Sequence, residues 1–218
     1  DGSLISYELI KKSRRTLSLK ITPKGLEVHA PLLISKSRID QLIQNKSHWI
    51  QKKLQLTLTY EKPFEVKNGE SFKIFDKELM ITVKLGKNNI TIDNNICLIS
   101  YKNLSDNPKL KKFFLKWLKN YAHKYFIQRV NDLCKKNNLN AQKTLISNAK
   151  TRWGTCNNRK EIRLNWRLIQ CPVFIIDYVI CHELSHLKFM NHSKSFWNQV
   201  CSLFPNYKKA EEYLKKNG

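Results

Sequence analysis

Residues 181–192 constrain this chain more than any other stretch, because they contain His-Glu-x-x-His followed five residues later by a third histidine. On a helix, His182 and His186 lie one turn apart on the same side. Two imidazoles in that arrangement can bind one metal ion, and Glu183 then lies beside the metal, where it can act on a bound water.

A catalytic zinc ion needs a third protein ligand and an open fourth position, and His192 is the candidate for that ligand. A straight helix would carry His192 about 9 Å further along the axis and well round from the other two histidines. We therefore expect the chain to turn after Leu187. Asn191 tolerates the left-handed conformation that ends many helices, so it is the expected end of the helix.

The helix around the motif is strongly apolar on one side, and Glu183 falls within that apolar arc. The arc contains Ile175, Ile176, Val179, Ile180, Leu184 and Leu187, and the opposite side carries Asp177, Cys181, Ser185 and Lys188. A glutamate on the buried side of a helix is costly unless it has a task or a partner. The alternative interpretation is a buried helix that carries two hydrogen-bonded histidines.

The hydrophobic periodicity predicts an α+β protein in two regions. Residues 1–104 form a β-rich region with strands at 4–10, 16–22 and 26–30, a helix capped by Ser35, and a β-meander near 71–76, 78–85, 90–93 and 96–101. Residues 105–218 contain a long helix from Asp106 to about Lys136, strands at 144–149 and 161–166, the histidine-bearing helix after Pro172, a helix capped by Ser193 and a closing helix at 207–216.

The net charge of +23 comes from 40 Lys and Arg residues against 17 Asp and Glu residues, and it is uneven. Residues 105–218 carry 22 basic and 7 acidic side chains, a net charge of +15. Such an excess favours non-specific binding of DNA or RNA. A lysine-rich composition spread over a solvated surface explains it equally well.

The six cysteines form no C-x-x-C pair, so we expect reduced thiols in a cytoplasmic protein. A second zinc site at Cys156 and Cys171 is the alternative, although their spacing gives it little support. No apolar run is long enough to cross a membrane and the N-terminus has no signal-peptide pattern, so no membrane partner is expected.

Several motifs closely resemble the YgjP-like metal-dependent hydrolases. They lie at residues 151–156, 162–168, 177–186 and 191–197, and weaker likenesses lie at 13–19 and 49–54. That family is similar to the SprT-type and WLM-type peptidase domains, which act on proteins crosslinked to DNA. The resemblance implies a minimal zincin-like core, Zn²⁺ bound by His182, His186 and His192, Glu183 as the catalytic acid/base, and protein or peptide substrates.

Other motif residues have two open interpretations each. Trp153 and Gly154 either shape a substrate wall or serve packing. Arg167 either binds a substrate carboxylate or oxyanion, or forms an ion pair with Glu161 or Asp177; the role of Arg152 is open. Residues 162–166 are the candidate edge strand for aligning an extended peptide.

Three functions compete on this evidence. A zinc metallopeptidase is the leading hypothesis. The others are a nucleic-acid-associated binding module with structural zinc, and a metal-dependent hydrolase of a non-peptide amide or ester. A structural zinc site usually has four protein ligands, and only three histidines are evident here.

Overall fold

The computed structural model describes residues 5–22, 25–58 and 64–217, and it confirms the α+β class. The chain forms two compact units, one up to Phe64 and one from Glu65. The second unit thus includes the sheet that the sequence analysis assigned to the N-terminal region. A division at residues 104/105 remains a proposal.

The first unit is a three-stranded sheet with two helices. Its elements are β1 (Tyr7–Lys12), β2 (Ser18–Thr22), β3 (Gly25–Pro31), α1 (Lys36–Asn45) and α2 (Ser47–Leu58), with β3 at the centre of the sheet. Leu26, Val28, Ile39 and Ile50 are buried in its core. The single helix expected after Ser35 is two helices, because Lys46 leaves the helical conformation with φ −111° and ψ 9°.

The second unit begins with a four-stranded sheet that is not the expected meander. Its strands are β4 (Ser71–Ile74), β5 (Lys77–Leu85), β6 (Asn89–Asp93) and β7 (Ile96–Tyr101). The order is β4-β5-β7-β6, with β5 and β7 parallel. The two strands at the centre carry Ile81, Cys97 and Ile99, which are fully buried, whereas β6 buries only Ile90.

The long helix α3 (Asn107–Lys136) confirms the prediction closely. Asp106 accepts a hydrogen bond from the Lys109 amide at 3.0 Å, and Pro108 occupies the first turn. Its buried face includes Leu110, Phe114, Leu118, Ala122, Phe126 and Val130.

A three-stranded sheet then leads to the metal-binding motif: β8 (Lys143–Ser147), β9 (Gly154–Cys156) and β10 (Glu161–Asn165). The order is β8-β10-β9, so the expectation that residues 162–166 form an edge strand is wrong. Ile162 and Leu164 are fully buried and β10 pairs on both sides, as a central strand requires. The edge beside the motif is β9, a strand that does not appear among the predicted strands.

Helix α4 (Val173–Ser185) carries the motif and starts after Pro172, as expected. The expected polar side of α4 is wrong in part, because Cys181 and Ser185 are fully buried. Helices α3, α5 (Lys194–Leu203) and α6 (Tyr207–Asn217) and strands β9 and β10 all contact α4 and cover it on several sides. Asp177 accepts two 2.6 Å hydrogen bonds from Arg129, which tie α4 to α3.

None of the helices in the described ranges is both long enough and apolar enough to span a bilayer.

Candidate active site

A tight turn at the end of α4 brings the third histidine back to the first two. The amides of Leu187 and Lys188 donate to carbonyls three residues earlier, both at 3.1 Å. The turn therefore begins at His186, slightly earlier than expected. Asn191 does not adopt the left-handed conformation, and α4 ends at Ser185, so the expected helix end at Asn191 is wrong.

The three histidines converge on one point. The Nε2 atoms of His182 and His192 are 3.2 Å apart, and one ring nitrogen from each of His182, His186 and His192 lies within 4.8 Å of the others. A tetrahedral zinc ion with bonds of about 2.0–2.1 Å separates its nitrogen ligands by about 3.3 Å. The donor set therefore suits a zinc ion after a small closure of the rings.

The protonation of the rings also suits metal binding. His186 Nδ1 lies 3.0 Å from the carbonyl oxygen of Phe189, which fixes the proton on Nδ1 and leaves Nε2 as a free lone pair. Burial, together with smaller contributions from the neighbouring His186 and His192, lowers the pKa of His182 to about 4. A neutral imidazole is the form that ligates a metal.

Phe196 forms the floor under all three imidazoles. Its ring centroid lies 5.0, 4.5 and 4.6 Å from those of His182, His186 and His192. Ser193, which directly follows the third histidine, accepts a hydrogen bond from the Phe196 amide and starts α5. Nothing in the sequence near Phe196 indicates that this face of α5 meets the histidines.

Glu183 is buried beside the histidines without a hydrogen-bond partner for one carboxylate oxygen. Only 4% of the residue is exposed, and Oε2 has no partner within the described structure. Burial raises the pKa of Glu183 to about 8. A carboxylate in this position is costly in a merely structural role, and a dication on the adjacent histidines would stabilise its charged form.

Gly154 lies directly against the Glu183 carboxylate. A Cβ atom at Gly154 would stand 2.5 Å from Oε1 and 2.8 Å from Cδ of Glu183. Glycine is thus the residue that allows β9 to approach the buried carboxylate. Gly154 therefore forms part of the wall around the Glu183 carboxylate. This agrees with the first of the two interpretations of the Trp153-Gly154 pair, a role in the site rather than in packing alone.

The residues before β9 are held by Asn165, at the end of β10. The Asn165 amide donates to the carbonyl oxygen of Trp153 at 2.8 Å, and its side chain donates to those of Ala149 and Arg152 at 2.9 and 3.3 Å. Arg167 follows on the same segment and donates to Asn148 Oδ1 at 2.9 Å.

Of the two interpretations of Arg167, the ion pair with Glu161 or Asp177 is wrong. Asp177 pairs with Arg129, and Glu161 pairs with Arg163 at 3.4 Å. The guanidinium of Arg167 instead lies 4.6 Å from the centroid of the Trp166 ring.

A second metal site at Cys156 and Cys171 finds no support among the described residues, where the three histidines form the one cluster able to hold a metal. All six cysteines are free. Burial raises the pKa of Cys156 and of Cys171 to about 11, which favours the neutral thiols.

Comparison with known proteins gives one match over most of the chain. Residues 15–217 match the model of the YgjP-like family, metallopeptidase domain. No curated protein matches the sequence.

Two crystal structures of metallopeptidase zymogens are similar to part of the chain. Abylysin of Pyrococcus abyssi is 22% identical with a TM-score of 0.39, and the match covers 42% of this chain and 92% of abylysin. Jannalysin of Methanocaldococcus jannaschii is 23% identical with a TM-score of 0.38, covering 42% of this chain and 94% of jannalysin.

Proposed function

The chain belongs to the YgjP-like metallopeptidase family, and from this premise we propose that it is a zinc peptidase that cleaves protein or peptide substrates with Glu183 as general base. Family membership makes the protein a metal-dependent hydrolase. The proposal of zinc and of a glutamate base depends on one observation. Three histidine nitrogens converge beside the buried Glu183, whose Oε2 atom has no hydrogen-bond partner within the described structure.

His182, His186 and His192 would hold the zinc through one ring nitrogen each. When bound, zinc in a site with three protein ligands supplies Lewis acidity that makes water reactive at neutral pH. Phe196 and the Phe189 carbonyl keep the imidazoles oriented for this task. His192 is the exposed member of the triad, so the metal position would be open to substrate on that side.

Glu183 would move the protons of the reaction. Its carboxylate takes a proton from the attacking water and returns it to the leaving amine. The carboxylate is a suitable base because it lies next to the first ligand in the chain and because Gly154 leaves it room. The burial of Glu183 keeps bulk water from competing for the transferred proton.

Strand β9 would align the substrate, in place of residues 162–166, because β10 lies at the centre of the sheet. In an antiparallel ladder, inward and outward pairs alternate. The amides of Asn165 and Asn157 donate across to the carbonyls of Trp153 and Glu161, so Gly154 and Cys156 point their backbone groups away from β10. An extended peptide can add to this edge beside Glu183.

The test compares Glu183→Gln and His192→Ala with wild type in zinc content, melting temperature and cleavage of an unfolded protein. Glu183→Gln should keep about one zinc per chain and its fold, yet lose at least about 10² to 10⁴ in rate, the usual worth of acid–base catalysis. His192→Ala should lose zinc, since one of three ligands is gone, and its fold should persist because His192 is exposed.

Glu212→Gln, an exposed glutamate on α6, serves as the control for the charge change. Zinc-dependent cleavage by Glu183→Gln at the wild-type rate would contradict the mechanism. Full zinc occupancy in His192→Ala would remove His192 from the site. No cleavage by wild type over a broad peptide panel would shift the proposal to a binding module or to another amide or ester.

Nucleic acid is a second candidate partner, and the surface of α3 favours it. Lys109, Lys112 and Lys116 recur at helical spacing on exposed positions, and no acidic residue interrupts residues 107–131. Lysines in such a row suit diffuse attraction to phosphates rather than readout of bases.

Weak binding of DNA or RNA without sequence preference is therefore expected, with a steep loss of affinity as salt rises. Replacing both Lys112 and Lys116 by Gln should reduce the slope of log K against log salt by about 1.8 if each contacts one phosphate. The control removes the same charge from Lys84 and Lys87 in the β5 region. Binding that is insensitive to salt, or equal slopes for both double variants, would contradict this surface.

A further inference from the structure

A basic depression lies at the end of β9 that adjoins Glu183. It has a volume of about 560 Å³, and its lining includes Lys150, Arg152, Trp153 and Arg167 but no aspartate or glutamate. Within the described ranges, none of these three cations takes part in an ion pair. Three uncompensated cations around one concave surface favour an anionic occupant.

The depression is a built surface rather than a chance meeting of side chains. Asn165 is 5% exposed, and its side chain holds the segment of Arg152 through the carbonyl oxygens of Ala149 and Arg152. Its Oδ1 accepts from the Arg167 amide at 3.1 Å, so one buried side chain fixes both arginine-bearing segments.

Arg167 itself is already oriented. One nitrogen of its guanidinium donates to Asn148, and the plane rests on Trp166, which leaves further N–H donors of the fork available. A guanidinium that is oriented before binding loses little conformational entropy when it donates hydrogen bonds to a carboxylate.

The direction of β9 decides which part of a substrate would reach the depression. A peptide that pairs with β9 in the commoner antiparallel sense runs opposite to it, so the peptide's C-terminal part passes Gly154 toward Trp153 and Arg152. Gly154 marks the position of Glu183, and Arg152 lies two residues before it. An extended chain covers about 3.3–3.6 Å per residue, which corresponds to about two peptide residues beyond the cleaved bond.

We infer that this depression is a carboxylate-binding subsite for the peptide on the C-terminal side of the cleaved bond. It rests on the proposed peptidase function and adds a substrate preference to it. The carboxylate comes either from the C-terminus of a short leaving peptide or from an acidic side chain about two residues after the cleaved bond.

The experiment uses four matched peptides with one cleavable bond. The first pair ends two residues after that bond in a free acid or an amide. The second pair continues further and carries Asp or Asn at the same place. We expect wild type to prefer the charged member of at least one pair by about tenfold in kcat/KM, the worth of one charge-assisted hydrogen bond. Preference within the first pair identifies the C-terminus, and preference within the second pair identifies the side chain.

The preference is the ratio of kcat/KM for the charged peptide to that for the neutral peptide. Arg152→Gln and Arg167→Gln should each lower this ratio toward 1, whereas Arg159→Gln should leave it unchanged. Arg159 is an exposed arginine outside the depression and so controls for the loss of one positive charge. The same peptide pairs are titrated into Glu183→Gln protein to measure binding without turnover.

The outcomes separate the subsite from the peptidase proposal. In one outcome, the charged peptides bind the Glu183→Gln protein more tightly than the neutral ones, this difference depends on Arg152 and Arg167, and wild type cleaves none of the four peptides. That outcome would support the subsite and contradict the peptidase function. Cleavage without preference in either pair, and equal binding, would overturn the subsite alone. An equal loss of preference in Arg159→Gln would show general steering by charge and overturn it. Competition by a single-stranded oligonucleotide that depends on Arg152 and Arg167, with no preference between peptides, would assign the depression to nucleic acid instead.

Discussion

The two sides of the candidate active site are built in opposite ways. On one side, His182, Glu183 and His186 lie within five consecutive residues at the C-terminal end of α4, with His186 as its capping residue. On the other side, Gly154 and the segment before it depend on β9 pairing with β10 and on Asn165 reaching back over more than ten residues. In the proposed mechanism the helical side carries the chemistry, and the strand side determines what can approach it.

This difference makes the two sides sensitive to different changes. If the proposed mechanism holds, replacing His182 or Glu183 acts directly on a ligand or on the base, whereas a substitution on β9 acts by moving a neighbouring side chain. The contact between Gly154 and Glu183 is where the two sides meet. Substitutions on β9 therefore test whether the strand side contributes to turnover or only covers the helix.

We propose two substitutions on β9, Gly154→Ala and Cys156→Pro, and Gly154→Ala should have the larger effect on catalysis. The new Cβ would stand 2.5 Å from Glu183 Oε1, so either the carboxylate or the strand has to shift. A displacement of about 1 Å in a catalytic group can cost about 10² in rate, and we expect a loss of that order in kcat with zinc content unchanged.

Gly86→Ala is the matched control, because its Cβ would meet only Ser100, at an ordinary 3.7 Å. That variant should keep the wild-type kcat. Zinc content, melting temperature and single-turnover cleavage are measured for both. A wild-type rate in Gly154→Ala at an unchanged melting temperature would mean that the close approach does not position the base.

The difference between the helical side and the strand side also explains how much of the structure could be predicted from the sequence. Helical spacing predicted that His182 and His186 lie on one side of a helix with Glu183 beside them, whereas His192 required a turn of the chain. Capping residues predicted α3 and the start of α5, because these signals lie within a few residues of each other. The family resemblance was confirmed over nearly the whole chain.

The strand order could not be predicted in this way. β9 has only three residues, one of them glycine, and its sequence shows no alternating pattern that would predict a strand. The polar residues before β10 favour an exposed edge strand, which is the opposite of its central position. The burial of Ile162 and Leu164 on β10 depends on strands from both sides, which local periodicity does not reveal.

Cys156→Pro should lower catalysis less than Gly154→Ala does, because it changes the strand side without moving Glu183. By the alternation of the ladder, the Cys156 amide points away from β10 and is available to a substrate, while the Thr155 amide points toward Arg163. Proline at Cys156 removes one outward donor without removing a ladder bond. We expect about a tenfold loss of kcat/KM for extended peptides, the worth of one backbone hydrogen bond, with little change in melting temperature.

Two further variants separate this cause from others. Cys156→Ala keeps the amide and removes the thiol, so it should cleave like wild type. Thr155→Pro removes the inward donor and should lower the melting temperature, because it breaks the pairing with β10. If Cys156→Pro cleaves extended peptides as well as Cys156→Ala does, the edge of β9 does not align the substrate. Glu183 would then act on a peptide held by the depression or by the helical side, and the strand side would serve only to enclose the base.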